Sequence, residues 1–190
     1  MPGMVPPVVD ERDGLLSFLS AQRAAAVITA YGLTDDQARL APTAGTLSVG
    51  GLIKHLAAVE RSWTGTVLDR ARGDRRDYEA GFRLEDSETL AGVIEDYRTA
   101  CAETDAVVAA IDDLGQAVPV PKVVPWFPDD VEAWSVRWVL LHLITETARH
   151  AGHADIVRES IDGATCYPLM AAAQNWPASP WMKPWAPAEG

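Results

Sequence analysis

The chain has 190 residues, 48% of them hydrophobic and 23% charged, which is typical of one globular domain with its own buried core. No segment approaches the roughly 18 consecutive apolar residues of a membrane span, and the N-terminal residues lack the pattern of a signal peptide. A formal net charge of −11 without a basic run argues against a nucleic-acid partner. We therefore expect a single cytoplasmic domain over residues 1–190 that binds neither nucleic acid nor membranes.

Apolar residues recur at helical spacing from near the N-terminus onward. This spacing predicts a long first helix over residues 10–31, which Gly32 ends. A capping-box pattern at residues 34–37 predicts a short helix after it. A second long helix is predicted over residues 49–71, with Gly73 beyond its end.

The second half of the chain contains two more predicted long helices, separated by a proline-rich crossover. We expect a third helix that is capped by Asp86 or Ser87 and continues to about residue 111, and a fourth over residues 135–161. The four prolines within residues 112–130 exclude a helix and disfavour a central strand, and the apolar residues among them predict an ordered connection. The pattern as a whole predicts an all-α four-helix bundle with a long crossover before the last helix.

The C-terminal tail is rich in tryptophan and proline over residues 176–185. Three indole rings in so short a segment form a large apolar surface, which is costly to expose to water. We therefore expect the tail to pack back onto the bundle, as a cover of the core or as a lid over a site.

The four histidines occupy positions that point inward. His55 lies on the apolar stripe of the second helix, and the other three lie on the fourth. At about 100° per residue, His142, Glu146, His150 and His153 fall within one arc of about 80° that also contains valines. Both helices thus direct ionisable groups toward the interior, where an unpaired group is costly.

A divalent metal ion compensates such groups well, because imidazole and carboxylate are common ligands. Glu146 and His150 lie four residues apart on one helical face, and His55 from the facing helix completes a set of three. Three protein ligands leave a coordination position open for water or substrate, as in catalytic sites. His142 lies one turn outside this trio, while His153 is an alternative ligand or a contact that orients one. A metal-free bundle with hydrogen-bonded histidines is the competing interpretation.

Neither cysteine is a strong candidate for a nucleophile. Cys101 has the spacing of a core residue and is interpreted as a packing residue. Cys166 is expected in a loop after the fourth helix, with nothing nearby in the sequence to lower its pKa. The sequence also contains no nucleotide-binding or serine-hydrolase motif.

A few other polar and aromatic residues allow two interpretations each. Arg75, Arg76 and Arg83 either line the entrance for an anionic ligand or belong to a solvated loop. Glu60 and Trp63 either border a pocket or pack in the core.

Three segments resemble the DinB-like metalloprotein superfamily. They are residues 33–39 (LTDDQAR), 50–60 (GGLIKHLAAVE) and 141–155 (LHLITETARHAGHAD). The mycothiol S-transferase branch is the most similar, since it also tends to carry a proline- and tryptophan-rich C-terminus. The resemblance covers nearly the whole chain and implies a four-helix bundle that holds a divalent metal ion.

In this superfamily the ligands are one histidine of the second helix and a pair four residues apart in the fourth. The matching positions here are His55, Glu146 and His150. Many members have three histidines, whereas a glutamate in the pair resembles the mycothiol-dependent maleylpyruvate isomerase branch. We expect zinc as the metal, although a carboxylate ligand also admits nickel, manganese or iron.

The resemblance implies a metal-dependent S-transferase with a low-molecular-weight thiol, mycothiol, as co-substrate. A free thiol with a pKa of about 8.5 is mostly protonated at neutral pH, whereas a thiol that coordinates a metal ion is deprotonated. The implied reaction is addition of the metal-bound thiolate to an electrophilic small molecule, in detoxification. His153 is a candidate acceptor for the thiol proton.

Other functions of the same bundle stay open. A thiol-dependent isomerase returns the thiol, a metal-dependent hydrolase ignores it, and a transferase consumes it. A bundle that binds a metal or another ligand without catalysis predicts a closed coordination shell. A homodimer is also compatible with the sequence.

Overall fold

The computed structural model describes residues 4–70, 80–122 and 124–187. Its helices are α1 (Glu11–Ile28), α2 (Asp35–Arg39), α3 (Val49–Val67), α4 (Leu90–Ala109), α5 (Val136–Asp162) and α6 (Cys166–Ala173). A 3₁₀ turn occupies Ala80–Phe82, and two short strands, β1 (Ala117–Pro119) and β2 (Ala133–Ser135), lie in the crossover between α4 and α5. The four long helices confirm the predicted all-α bundle.

Capping side chains determine where the long helices begin. In each case a side-chain oxygen accepts a hydrogen bond from the backbone N–H three residues later. These caps are Asp10, Ser48, Thr89 and Ser135. The predicted start of α4 at Asp86 or Ser87 is therefore wrong, because Thr89 performs the capping.

The predictions for α2 and α3, the two helices that precede α4, differ in outcome. The capping box of α2 is confirmed, since Thr34 accepts from the N–H of Gln37 and the Gln37 side chain accepts from the N–H of Thr34. In contrast, α3 ends at Val67, earlier than predicted. The predicted end at residue 71 and the stop at Gly73 lie outside the described residues.

The helix α3 holds the bundle together. It packs against α4 and against α5, and α1 packs against α5. Leu52, Ile53 and Leu56 of α3 and Leu140 and Leu143 of α5 are each 1% exposed. Burial of a side chain of this size stabilises the fold by about 1.5–3 kcal/mol. Among the described residues, no helix is both long and apolar enough to cross a membrane.

The crossover contains a short antiparallel ribbon that the sequence did not predict. β1 pairs with β2, with Val118 opposite Trp134. Pro119 fits there because it lies at the end of a two-stranded ribbon, where its missing N–H costs no central ladder bond. The crossover is ordered as expected, since Val118 is fully buried. The ribbon places Trp134 directly before α5.

The segment after α5 is also more regular than predicted. Cys166 begins α6 and does not lie in a loop, so that expectation is wrong. The proline that follows it, Pro168, is compatible with a helix because it lies in the first turn, where backbone N–H groups have no helical partner.

The C-terminal tail packs onto the bundle through one of its tryptophans. Trp185 lies against Gly32, which has a φ of +74° and where a Cβ would come within 2.5 Å of the indole ring. The Arg158 guanidinium lies 4.9 Å from the centre of the same ring. The backbone N–H of Trp185 donates to the carbonyl of Pro168 at 2.9 Å. Trp181 remains 80% exposed, so the tail covers the bundle only in part.

Candidate metal centre

Three ionisable side chains from α3 and α5 converge in the bundle interior. The Nε2 atom of His150 lies 3.2 Å from Oε1 of Glu146. The Nε2 atom of His55 lies 3.6 Å from the same oxygen. One potential ligand atom from each residue lies within 4.8 Å of both others. The structure thus brings together the three residues that the sequence predicted as metal ligands.

The two histidines of the cluster are buried, and its carboxylate is partly exposed. His55 is 6% exposed and His150 is 9% exposed. The Glu146 side chain is 27% exposed, so the cluster is open to solvent on the carboxylate side. An interior site with one open side can admit a small molecule to the carboxylate.

The close approach of the 3₁₀ turn to α3 fixes the ring of His55. A Cβ on Gly51 would lie 1.8 Å from the carbonyl oxygen of Phe82, so only glycine permits this contact. The Phe82 ring in turn stacks on His55 with ring centres 3.9 Å apart and planes 18° apart. His150 meets the His55 ring edge-on at 4.7 Å. The orientation of His55 therefore depends on a glycine one turn earlier in α3.

The electrostatics of the cluster favour an ionised carboxylate. The hydrogen bond with His150, followed by the contact with His55, holds the pKa of Glu146 well below its usual range. Glu146 is thus an anion at neutral pH, which is the form that binds a metal ion.

The donor set fits a divalent metal ion. Bonds of about 2.0–2.2 Å to imidazole nitrogen and carboxylate oxygen require ligand atoms that lie a few ångströms from one another, as these three do. Two imidazoles and one carboxylate are a common set in catalytic sites with an open position. His55, Glu146 and His150 are therefore suitable ligands for a divalent metal ion.

The other two histidines of α5 lie outside the cluster. The ring of His153 is half-buried, and its centre lies 5.6 Å from that of His150. His142 stacks on Trp138 with parallel rings 5.2 Å apart and meets Trp63 edge-on at 4.6 Å. Neither therefore joins the three convergent side chains, although His153 contacts one of them.

An aromatic wall extends from the cluster along α5, and the sequence analysis did not identify it. Trp134 and Trp138 are stacked with ring centres 4.4 Å apart and planes 3° apart. Trp63 of α3 and Phe127 of the crossover pack against Trp134 at 5.4 and 5.0 Å. The signal in the sequence was a large or ionisable residue at every fourth position from 134 to 150. Only the part from His142 to His150 was interpreted as a site.

Glu60 and Trp63 have different surroundings, which resolves the alternatives left by the sequence. Trp63 belongs to the aromatic wall. Glu60 is 1% exposed and points away from the cluster, where it accepts hydrogen bonds from Arg23 at 2.7 and 2.9 Å and from Thr104 at 2.6 Å. Glu60 therefore forms a buried ion pair with Arg23 and does not border the candidate metal centre.

The remaining candidates are the two cysteines and the three arginines. Burial raises the pKa of the Cys101 thiol to about 12, and burial followed by the charge of Asp155 raises the pKa of Cys166. Arg83 follows the 3₁₀ turn. Arg75 and Arg76 lie outside the described residues, so their predicted role at an entrance is untested.

Comparisons with known proteins show the family and the fold of the chain. The sequence profile of the family described as mycothiol S-transferase matches residues 14–163. Among solved structures, this chain is similar to a conserved protein from Enterococcus faecalis, with a TM-score of 0.65 and 14% identity over 83% of this chain and 100% of that one. At such low identity the likeness concerns the fold alone. No curated protein matches the chain.

Proposed function

Because the chain belongs to the mycothiol S-transferase family, we propose that it transfers a low-molecular-weight thiol, mycothiol, to an electrophilic small molecule with the help of a divalent metal ion. The observation that carries this proposal is the convergence of His55, Glu146 and His150 from two helices. A bound divalent ion lowers the pKa of a thiol that coordinates it, so that the thiol reacts as a thiolate near neutral pH.

The residues of the chain hold and orient the reactants in this proposal. His55, Glu146 and His150 hold the ion, and Phe82 supports the His55 ring by stacking on its face. His153 contacts His150, and we assign to it the orientation of that ligand or the acceptance of the thiol proton. The aromatic wall offers apolar surface to the body of the electrophile.

The state of the cysteines supports an external thiol. The pKa of Cys101 is raised to about 12 by burial, and that of Cys166 is raised by burial and by Asp155. Both side chains are therefore poor nucleophiles at neutral pH. A reaction that forms a carbon–sulfur bond here thus needs a thiol from a co-substrate.

Several finer features belong to the same proposal. Zinc is the first candidate for the metal, and nickel, manganese and iron also suit a set with a carboxylate. Detoxification of electrophiles is the proposed role. The cytoplasm is the proposed location, because a reduced thiol co-substrate persists in a reducing compartment. We also propose that residues 1–190 act as one domain, without nucleic-acid or membrane partners, and as a monomer or homodimer.

A thiol-dependent isomerase is the second candidate function. The observation that favours it is Glu146, because a carboxylate at this ligand position is the feature shared with the isomerase branch. The two functions differ in the fate of the thiol, since an isomerase returns it and a transferase consumes one thiol for each turnover.

The first test is metal content measured by elemental analysis on protein purified without a metal-binding tag. We expect about one equivalent of metal in the wild type and loss of the metal in His55→Ala and His150→Ala. His142→Phe is the matched control, because it keeps a ring against Trp138 while removing the nitrogens of a histidine outside the cluster. Retention of metal in all variants, or absence of metal from the wild type after divalent ions are supplied, contradicts the proposal.

The second test is thiol consumption by the metal-loaded protein. Mycothiol and 1-chloro-2,4-dinitrobenzene are mixed with the enzyme, and free thiol and chloride are measured together. One thiol lost for each chloride released supports the transferase. Turnover of an electrophile without thiol, or with the thiol fully recovered, supports a hydrolase or an isomerase in its place.

A further inference from the structure

A groove between α1 and α4 lies apart from the candidate metal centre. Its volume is about 830 Å³, within the range of about 300–1,000 Å³ that small-molecule sites occupy. Two arginines of α1 bridge the helices beside it. Arg12 donates to the backbone carbonyls of Val108 and Ile111, and Arg23 donates to Asp105 at 2.8 Å. The end of α6 also lines the groove.

The walls of the groove are apolar and its floor is polar. Ala24 and Val27 of α1 face Ile94 and Ala102 of α4. The floor includes Tyr97, which is 1% exposed. Its buried hydroxyl has no oxygen or nitrogen partner and lies beside a thiol, which is a weak hydrogen-bond partner. A buried hydroxyl without a strong partner is unusual. Less than 1 Å² of this oxygen is exposed in the structure, so a ligand pairs with it only when the Tyr97 side chain turns toward the groove.

The charges of the groove favour a neutral ligand. Arg23 is paired with Glu60 and Asp105. Arg98 is paired with Glu95 at 3.7 Å. Among the described residues of the groove, each arginine therefore already has a carboxylate partner, and an anionic ligand would compete with these pairs.

We propose that this groove binds a neutral, largely apolar small molecule that carries one hydrogen-bonding group, which pairs with the Tyr97 hydroxyl. The ligand would lie between α1 and α4, whereas the candidate metal ligands belong to α3 and α5. No member of that trio lines the groove. The binding is thus separate from the metal centre and does not depend on the function proposed for it.

The test uses two fluorescent probes that differ in one charged group. N-phenyl-1-naphthylamine is neutral and has one N–H, and 1-anilinonaphthalene-8-sulfonate is the same molecule with a sulfonate. We expect one equivalent of the neutral probe to bind the wild type, with or without added metal, and more tightly than the anionic probe. Equal or tighter binding of the sulfonate overturns the assignment of a neutral ligand.

Variants then locate the probe. Ala24→Leu and Ala102→Leu add bulk at exposed positions of the groove and should weaken the neutral probe by about tenfold or more. Ala109→Leu is the control, since Ala109 is exposed on the same helix but does not line the groove. Tyr97→Phe should weaken the probe by about two- to tenfold while leaving the melting temperature unchanged or raised, because the hydroxyl has no strong partner.

Three results would overturn the proposal. The first is equal affinity of the wild type and both leucine variants, which would place the probe elsewhere. The second is no binding of the neutral probe up to its solubility limit. The third is a wild-type dimer in sedimentation that Ala102→Leu dissociates and that excludes the probe, which would make the groove an interface with a second copy of the chain.

Discussion

Gly51→Ala tests whether the glycine in α3 positions the metal centre. The added methyl would lie 1.8 Å from the carbonyl oxygen of Phe82, whereas real Cβ contacts stay beyond 3.0 Å. The 3₁₀ turn must therefore move, and the stacking of Phe82 on His55, now at 3.9 Å, is lost or displaced. We expect the free energy of unfolding to fall by about 1–3 kcal/mol, the usual cost of overpacking, and metal affinity to fall with it.

Gly65→Ala provides the matched control, because Gly65 lies in the same helix and a Cβ there meets no atom within 4 Å. That variant should gain about 0.5–1 kcal/mol, as alanine is a better helix former than glycine. Urea denaturation measures both free energies, and Co²⁺ titration followed by its visible absorption measures affinity without an activity assay. If Gly51→Ala is as stable as Gly65→Ala and binds Co²⁺ equally well, Gly51 does not position His55.

Three further predictions concern groups outside the metal centre. Arg23→Met should lower the free energy of unfolding by about 3–5 kcal/mol, because it leaves the buried Glu60 carboxylate without its cation; a loss below about 1 kcal/mol in urea denaturation would show that the pair is unimportant. Burial, followed by the charge of Glu159, raises the pKa of Asp155. As the pH rises above the unfolded pKa of about 3.9, the unfolded chain loses this proton first, and the free energy of unfolding falls. Asp155→Asn should therefore raise the melting temperature more at pH 7 than at pH 4. An equal shift at both pH values would contradict the raised pKa. The pKa of Cys101 is raised to about 12, so its thiol should react slowly in the native protein. In a Cys166→Ser background at pH 8, we expect its reaction with 5,5′-dithiobis(2-nitrobenzoate) to be at least about a hundredfold slower than in denaturant. Comparable rates would mean that the native thiol is accessible and ionised.

Local sequence signals were sufficient to predict the long helices and one face of the metal centre. Caps and apolar spacing act over a few residues, so the starts of α2, α3 and α5 could be read directly. The four-residue interval between Glu146 and His150 places them on one face of any helix. His55 could be assigned to the facing helix only through its place on an apolar stripe.

Features that depend on contacts between distant segments could not be predicted. The stacking of Phe82 on His55 requires a turn nearly 30 residues later in the chain to approach Gly51, and no local signal reports it. The β1–β2 ribbon joins the two ends of a proline-rich crossover, and its three-residue strands are too short for an alternating pattern to be visible. Asp86, Ser87 and Thr89 are equally plausible caps of α4 by sequence, and the structure shows that Thr89 performs this role.

The helix α3 separates two carboxylates, the buried Glu60 and the partly exposed Glu146, whose charges are balanced in different ways. At about 100° per residue, positions 55 and 60 differ by about 140°, so one faces α5 and the other faces α1 and α4. Glu60 is neutralised within the protein by Arg23. Glu146, beside His55, contacts no arginine or lysine in the part of the chain that the structure describes, although its pKa is held low by His150 and His55 and, to a smaller extent, by His142. An ionised carboxylate between two imidazoles lacks a permanent internal cation, and a divalent ion supplies the missing charge. The same reasoning predicts that Glu146→Gln weakens metal binding without the large loss of stability expected for Arg23→Met.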